Sequence, residues 1–286
     1  MNKYILRTIL FIIILFIIIF VLFISVNPVK KYMGKAYILK KIDKKYTLSL
    51  QIINNIYDIY KIKEYPVVFK PDMCSGTNNG VKLINNRDEA IDLLKKNKRQ
   101  TYIVQKLYNS KYEAMILYER HPFLKDGRII SIVFKEISNK WHPLRCNVSH
   151  FGIKDKNFTK CIDASNLITA ELNKVFNNIS KKIPYFYAGR YDIRFSNIED
   201  FKKGKNFSIL ELNGVMGVDG RILLLNKNIM YINARWCFIR LLIGLQNILL
   251  LNGHNIFLIP IILINCIKQT IKCNYNIGYL FSPSNF

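Results

Sequence analysis

The sequence has no C-x-x-C pair, and its four histidines show no ligand spacing. Both absences argue against a zinc site. The six cysteines, Cys74, Cys146, Cys161, Cys237, Cys266 and Cys273, are scattered. They read as free, reduced thiols in a protein body that faces the cytosol. No G-K-[ST] occurs, which excludes a Walker loop. There are no internal repeats, and no zinc-finger, helix-turn-helix or RNP-like pattern. Acidic residues are scarce: 19 Asp and Glu face 43 Lys and Arg, a formal net charge of +24. Such a charge invites a nucleic-acid partner. The lysines, however, are spread along the chain among many Ile and Asn residues, the mark of a compositional bias and not of a binding stripe. Nucleic acid is therefore disfavoured, and attraction to anionic lipid explains the charge at least as well.

What is present begins with length and apolarity. With 286 residues, half of them hydrophobic, the chain can build one large core or two small ones. Residues 8–26, TILFIIILFIIIFVLFISV, run for 19 positions without a charge, enough for a helix to cross a hydrocarbon core. No A-x-A-like cleavage site follows, so the run reads as an uncleaved single-pass anchor. Lys30, Lys31, Lys35, Lys40 and Lys41 follow it, and the positive-inside rule puts the body in the cytoplasm. The organisation expected is an anchor over 1–29, a folded domain over 30–230 and an apolar helical tail over 231–286. The tail packs in the core or lies on the membrane, since Arg240 and Pro260 interrupt its apolar runs.

The segment 44–62 reads as helical. YPVVFKPDMCSGTNNGVKLI reads as strand, glycine-containing loop, strand. A helix follows, with Asn86 as N-cap and Glu89 three residues on, as in a capping box. TYIVQKL, YEAMILYE and GRIISIVFKEI read as strands. Residues 165–179 carry Leu167, Ile168, Leu172, Val175, Phe176 and Ile179 on one helical face. GRYDIRF and FSILELNG then form an antiparallel hairpin across a polar turn.

The hairpin carries the chemistry. Glu211 and Asn213 lie two apart and share a strand face, with Leu210 and Leu212 on the other. An isolated E-x-N is ordinarily the wet face of an amphipathic strand. Here Asp192 sits on the partner strand, and opposed side chains in such a pair lie about 4.5–5.5 Å apart. Three oxygen-bearing side chains converging in this way suit Mg²⁺, completed by phosphate oxygens; without His or Cys they suit zinc poorly. Upstream, Lys70 ends an apolar strand before Pro71, and CSGTNNG follows. Such a loop can turn backbone N–H groups toward phosphate, although a plain turn uses the same residues.

In this order, YPVVFKPDMCSGTNNGV, then VQKL with Glu113, then GRYDIRF, then ELNG resemble the ATP-grasp superfamily, most of all its D-alanine–D-alanine ligase branch, over residues 43–217. The resemblance implies an α+β, ATP-grasp fold: two α+β subdomains gripping ATP, here preceded by the transmembrane helix. It implies that Lys70 contacts ATP phosphates and that Ser75, Gly76, Thr77 and Gly80 close over them. Gln105, Lys106 and Leu107 become the adenine-binding hinge, mainly through backbone groups, and Glu113 takes the ribose hydroxyls. Asp192, Glu211 and Asn213 hold magnesium, or manganese in its place. Arg190 steadies the oxyanion, and Lys44 resembles the second nucleotide lysine, at a shorter spacing.

The sequence departs from that branch before and after these motifs. About 35 residues stand where the branch has an N-terminal substrate domain, and VMGVDGRILLL replaces the usual continuation after ELNG. The substrate site is then reduced, supplied by the tail, or lent by another subunit of a homo-oligomer. The expected activity is Mg-ATP-dependent ligation of a carboxylate to an amine through an acylphosphate, with substrates unspecified. The competing readings are a membrane-anchored nucleotide-binding pseudo-enzyme and a basic membrane or nucleic-acid tether.

Overall fold

A computed structural model describes residues 34–72, 80–97, 100–121, 124–136, 161–183, 186–214 and 219–224, the pairs 145–146 and 158–159, most of 231–243 and isolated positions between 7 and 14. Among them no helix is long and apolar enough to cross a membrane. Most of the apolar run 8–26, on which the anchor expectation rests, lies outside the described residues. So does most of the tail.

The described chain forms two larger antiparallel sheets. The first comprises β1 (Leu50–Ile53), β2 (Val67–Pro71), β3 (Lys82–Ile84) and β4 (Tyr102–Lys106), in the order β1-β4-β2-β3. The second uses β5 (Tyr112–Glu119) and β6 (Arg128–Glu136). After the short parallel pair β7 (Arg145–Cys146) and β8 (Phe158–Thr159), it adds β9 (Cys161–Asp163), β10 (Ala188–Phe195) and β11 (Phe207–Asn213). Its order is β11-β10-β5-β6-β9. Five helices lie among the described residues between 34 and 202: α1 (Lys35–Leu39), α2 (Ile56–Ile59), α3 (Arg87–Lys96), α4 (Ala170–Lys181) and α5 (Ile198–Lys202).

Local chemistry explains the elements. On α3 the Asn86 side chain accepts from the Glu89 N–H at 2.9 Å, and Glu89 reaches back to the Asn85 N–H at 2.8 Å. Glu89 thus caps one residue earlier than a standard capping box does. Thr169 caps α4 through the Leu172 N–H. Helix α4 lays Leu172, Phe176 and Ile179 on the core face of the second sheet, against Tyr191, Ile193 and Phe207. Helix α3 buries Ala90, Leu93 and Leu94 on the first sheet, with Phe69 and Val104.

The expected helix over 44–62 is replaced. Lys44–Tyr46 make one 3₁₀ turn, Leu50–Ile53 form β1, and only Ile56–Ile59 are α-helical. Asn54-Asn55 breaks the segment: the Asn55 side chain caps α2 in a full capping box with Asp58. The β-branched pair Ile52-Ile53 pairs with Ile103 and Tyr102 of β4. The thiol expectation is corrected as well. Cys161 is disulfide-bonded, a contact made by the fold and invisible in linear spacing, while Cys237 is free and exposed.

Candidate functional site

Strand β11 explains how a run of aliphatics presents a carboxylate. Phe207 and Ile209 point into the core, and strict alternation would send Glu211 after them. The pairing with β10 slips between Asp192 and Ile193: Asp192 faces Glu211, but Ile193 faces Ile209. Leu210 is the extra residue of a β-bulge. Beyond it the faces exchange, so Leu212 is buried at 5% exposure and joins Phe207 and Ile209 in the core. Glu211 and Asn213 turn to the opposite face. Leu210 therefore does not share a buried face with Leu212, as simple alternation implied; it is half-buried. The bulge also frees the Leu210 carbonyl, which accepts from Lys70 Nζ at 3.4 Å.

Around these strands the expected metal residues come together. Asp192 and Glu211 are register partners, and Arg190 faces Asn213. Asn213 Nδ2 donates to Asp192 Oδ2 at 3.0 Å. Arg190 grips the same carboxylate, with Nε 3.1 Å from Oδ1 and an Nη 3.3 Å from Oδ2. The Asp192 carboxylate beside it raises the Arg190 pKa further. Glu211 Oε1 lies 3.3 Å from Lys35 Nζ. The donor set of two carboxylates and an amide oxygen fits a hard cation, and the counter-ions now on it are its own neighbours.

Lys70 lies between the sheets. Its ammonium donates to Gln105 Oε1 at 2.9 Å as well as to Leu210 O. Burial pushes its pKa down to about 8, against the pull of Glu211. Glu113 is buried, with Oε1 2.9 Å from Lys135 and Oε2 3.0 Å from Arg194. Burial raises its pKa, but the two cations outweigh this and hold the carboxyl below its ordinary range. Lys35, Lys70, Arg190, Arg194 and Lys135 thus surround Glu113, Asp192 and Glu211. The cations outnumber the carboxylates, so the cluster as a whole attracts an anion.

Other expected residues fall elsewhere. Lys44 is exposed in the 3₁₀ turn, and the lysine beside the acidic cluster is Lys35 of α1. Helix α1 is fixed by Asp72, which follows β2: Asp72 Oδ1 accepts from the Ala36 N–H at 2.7 Å, and Asp72 O from the Lys35 N–H at 3.1 Å. In the sequence Lys35 is only one of the basic residues after the apolar run; no motif surrounds it. Arg194 and Lys135 were missed too. The alternation of GRYDIRF puts Arg194 on the face of Arg190 and Asp192, and that signal was available. Lys106 turns outward to Glu64 at 2.9 Å, while Leu107 lies in the connection to β5. Ser75, Gly76 and Thr77 lie outside the described residues. Gly80 is described: its φ of +78° and the 2.8 Å approach a Cβ would make to Pro71 require glycine where the chain returns to β2.

A second polar cluster lies on the same sheet face. Asp219, 1% exposed, accepts from Ser131 Oγ at 2.9 Å and is gripped by Arg221. Glu119 pairs with Arg235, Nη1 to Oε1 at 2.8 Å, although burial raises its pKa above the usual carboxylate range. Ile239 and Ile243 pack on Leu117 and Ala188. The start of the tail is therefore part of the folded body.

No family model matches the sequence, and no curated protein matches it. Solved structures do. D-alanine–D-alanine ligase from Bacillus anthracis superposes with a TM-score of 0.50 at 16% identity, covering 78% of this chain and 70% of that one. L-amino acid ligase from Bacillus licheniformis gives 0.45 at 12% identity over 69% and 43% of the two chains. N5-carboxyaminoimidazole synthetase from Staphylococcus aureus gives 0.44 at 16% identity over 64% and 44%. The first likeness carries a conclusion about the fold: the chain has an α+β fold with antiparallel sheets similar to that of D-alanine–D-alanine ligase.

Proposed function

We propose that this chain is a Mg²⁺- and nucleoside-triphosphate-dependent ligase joining a carboxylate to an amine, with ATP the nucleotide its resemblance implies. The observation that carries the reading is the convergence of Asp192, Glu211, Asn213 and Arg190 on one sheet face, with Lys70 and Lys35 beside them. Asp192, Glu211 and Asn213 would hold the cation, which neutralises charge on the transferring phosphoryl group. Lys70 and Lys35 orient and neutralise the phosphates. A substrate carboxylate oxygen attacks the γ-phosphorus; the bond to the nucleoside diphosphate breaks, giving an acylphosphate. The amine nitrogen then attacks the acyl carbon, an ammonium proton goes to solvent, and phosphate leaves. Arg190 steadies the oxyanion of that second step. We further propose that residues 8–26 anchor this body at a membrane.

The test is nucleoside diphosphate and phosphate release by detergent-solubilised full-length protein, with Mg²⁺ and a panel of amino acids and short peptides. Amine-dependent release in a stoichiometry of one diphosphate per bond formed supports the ligase. Tight Mg-nucleotide binding with no release under any pair of substrates favours the pseudo-enzyme. That outcome would leave the pairings Asp192–Arg190 and Glu211–Lys35 as permanent structural bonds.

A further inference from the structure

Glu113 is held from both sides. Arg194 of β10, Glu113 of β5 and Lys135 of β6 are register partners in one row across the second sheet. Arg194 Nε donates to Glu113 Oε2 at 3.0 Å, and Lys135 Nζ donates to Oε1 at 2.9 Å. Arg194 makes a second contact: its Nη1 donates to the Tyr108 carbonyl at 3.1 Å. Tyr108 lies in the connection between Lys106 of β4 and Tyr112 of β5, where the chain passes from the first sheet to the second. One guanidinium, its side chain 12% exposed, therefore ties together the strand that carries Asp192, the Glu113 carboxylate and the connection. Asp192 is two residues away on the same strand face, about 6.5 Å along β10.

Resting on the nucleotide reading above, we infer that Arg194 is a positioning residue that sets the span between the metal and the nucleoside. The cation and the phosphates belong with Asp192, Glu211 and Lys70. Glu113 and Arg194 border Lys70 closely enough to act on its charge. A nucleoside that leaves the phosphates in their direction meets the two groups that Arg194 grips. A carboxylate has about four acceptor sites. The two cations take one on each oxygen and leave one on each for a hydroxyl. What they remove is rotation: with an ion on either side, the carboxylate plane is fixed before a ligand arrives. The bond to Tyr108 fixes the connection in the same way. Such preorganisation lowers the ordering cost of binding. Arginine suits the task because its planar fork donates in fixed directions, whereas an ammonium carries the same charge on a flexible stem.

The experiment measures, by calorimetry, binding of Mg-ATP and of magnesium tripolyphosphate, which lacks the nucleoside. The proteins are solubilised full-length wild type and Arg194→Lys. Lysine keeps the charge near the phosphates and loses the fork. Mg-ATP affinity should fall about tenfold or more, as for a lost charge-assisted hydrogen bond, while tripolyphosphate affinity stays within about twofold. A merely structural role lowers both alike, so equal losses, or no loss, overturn the inference. If Arg194→Lys does not fold, Arg194→Gln replaces it, and the ratio of the two affinities cancels the lost charge. Unfolding of both variants makes Arg194 a structural residue and overturns the inference. Equal binding of ATP and tripolyphosphate by the wild type also overturns it, and leaves a phosphate site. Binding of neither removes the nucleotide reading and this inference with it.

Discussion

Replacing Lys70 by methionine separates the stability of this chain from its chemistry. The ammonium sits where burial lowers its pKa from 10.5 to about 8. At neutral pH it is still charged, and holding it so costs up to about 3 kcal/mol, at 1.36 kcal/mol per pKa unit. Methionine abolishes that cost with a side chain of similar length. It also strips Gln105 Oε1 of its donor, which costs about 1–2 kcal/mol for a buried amide oxygen. The balance favours Lys70→Met by about 1 kcal/mol, a rise in melting temperature of about 2–4 °C for a chain of this size. Nucleotide affinity moves the other way. Loss of a charge-assisted contact to phosphate weakens Mg-ATP binding by about 1.5–3 kcal/mol. The pH dependence is a second signature. Between about pH 8 and 10.5 the unfolded chain holds the Lys70 proton and the folded chain does not, so stability rises with pH across that window. Buried phenols such as Tyr118, pushed up to about 12, act in the opposite sense, but only above about pH 10. Urea unfolding of ligand-free wild type and Lys70→Met, from pH 7 to 9.5, should give stability curves that cross at about pH 8.7, the variant being the more stable at pH 7 and the wild type at pH 9.5. Parallel curves, or an unchanged Mg-ATP dissociation constant, would refute the reasoning.

Leu212→Gln should destabilise by about 2–4 kcal/mol, because it loses core packing and buries an amide. Leu210→Gln, at the bulge, should cost less than about 1 kcal/mol; equal costs in urea titrations would remove the bulge. Glu211→Gln should leave the melting temperature within a few degrees while weakening Mg²⁺-dependent nucleotide binding about tenfold or more. Unfolding of that variant with normal Mg-ATP binding would make Glu211 a structural residue. Full-length protein should sediment with membranes, and a chain lacking residues 1–27 should do so less; identical partition of the two would discard the anchor.

How much of this was legible in the sequence depends on the range of the interaction concerned. Asn86 with Glu89 and the alternation of GRYDIRF are local signals, and the elements they mark are present. Asp192 opposite Glu211 could be read too, because a hairpin relates its strands by a short connection. The bulge at Leu210 could not: nothing in ILELN distinguishes a residue that pairs from one that is skipped until Phe207, Ile209 and Leu212 must all reach one core. In the sequence Lys35 reads as a flanking charge, because its importance comes from Asp72 holding α1 in place. Gln105 was assigned by its backbone, and only the position of Lys70 shows which way its amide turns.

Strand β11 is the outermost strand of its sheet, with one row of backbone groups facing away from β10. An outermost strand rich in aliphatics invites a foreign strand to add to it. Here that side is occupied by the chain itself. Thr47 bridges to Ile209 in parallel, and α1 is drawn onto the strand by Lys35 and Glu211. Residues 34–47 are thus a guard against aggregation as well as part of the site. A fragment that begins after Thr47, however well the remaining sheets fold, presents an open aliphatic edge and should self-associate.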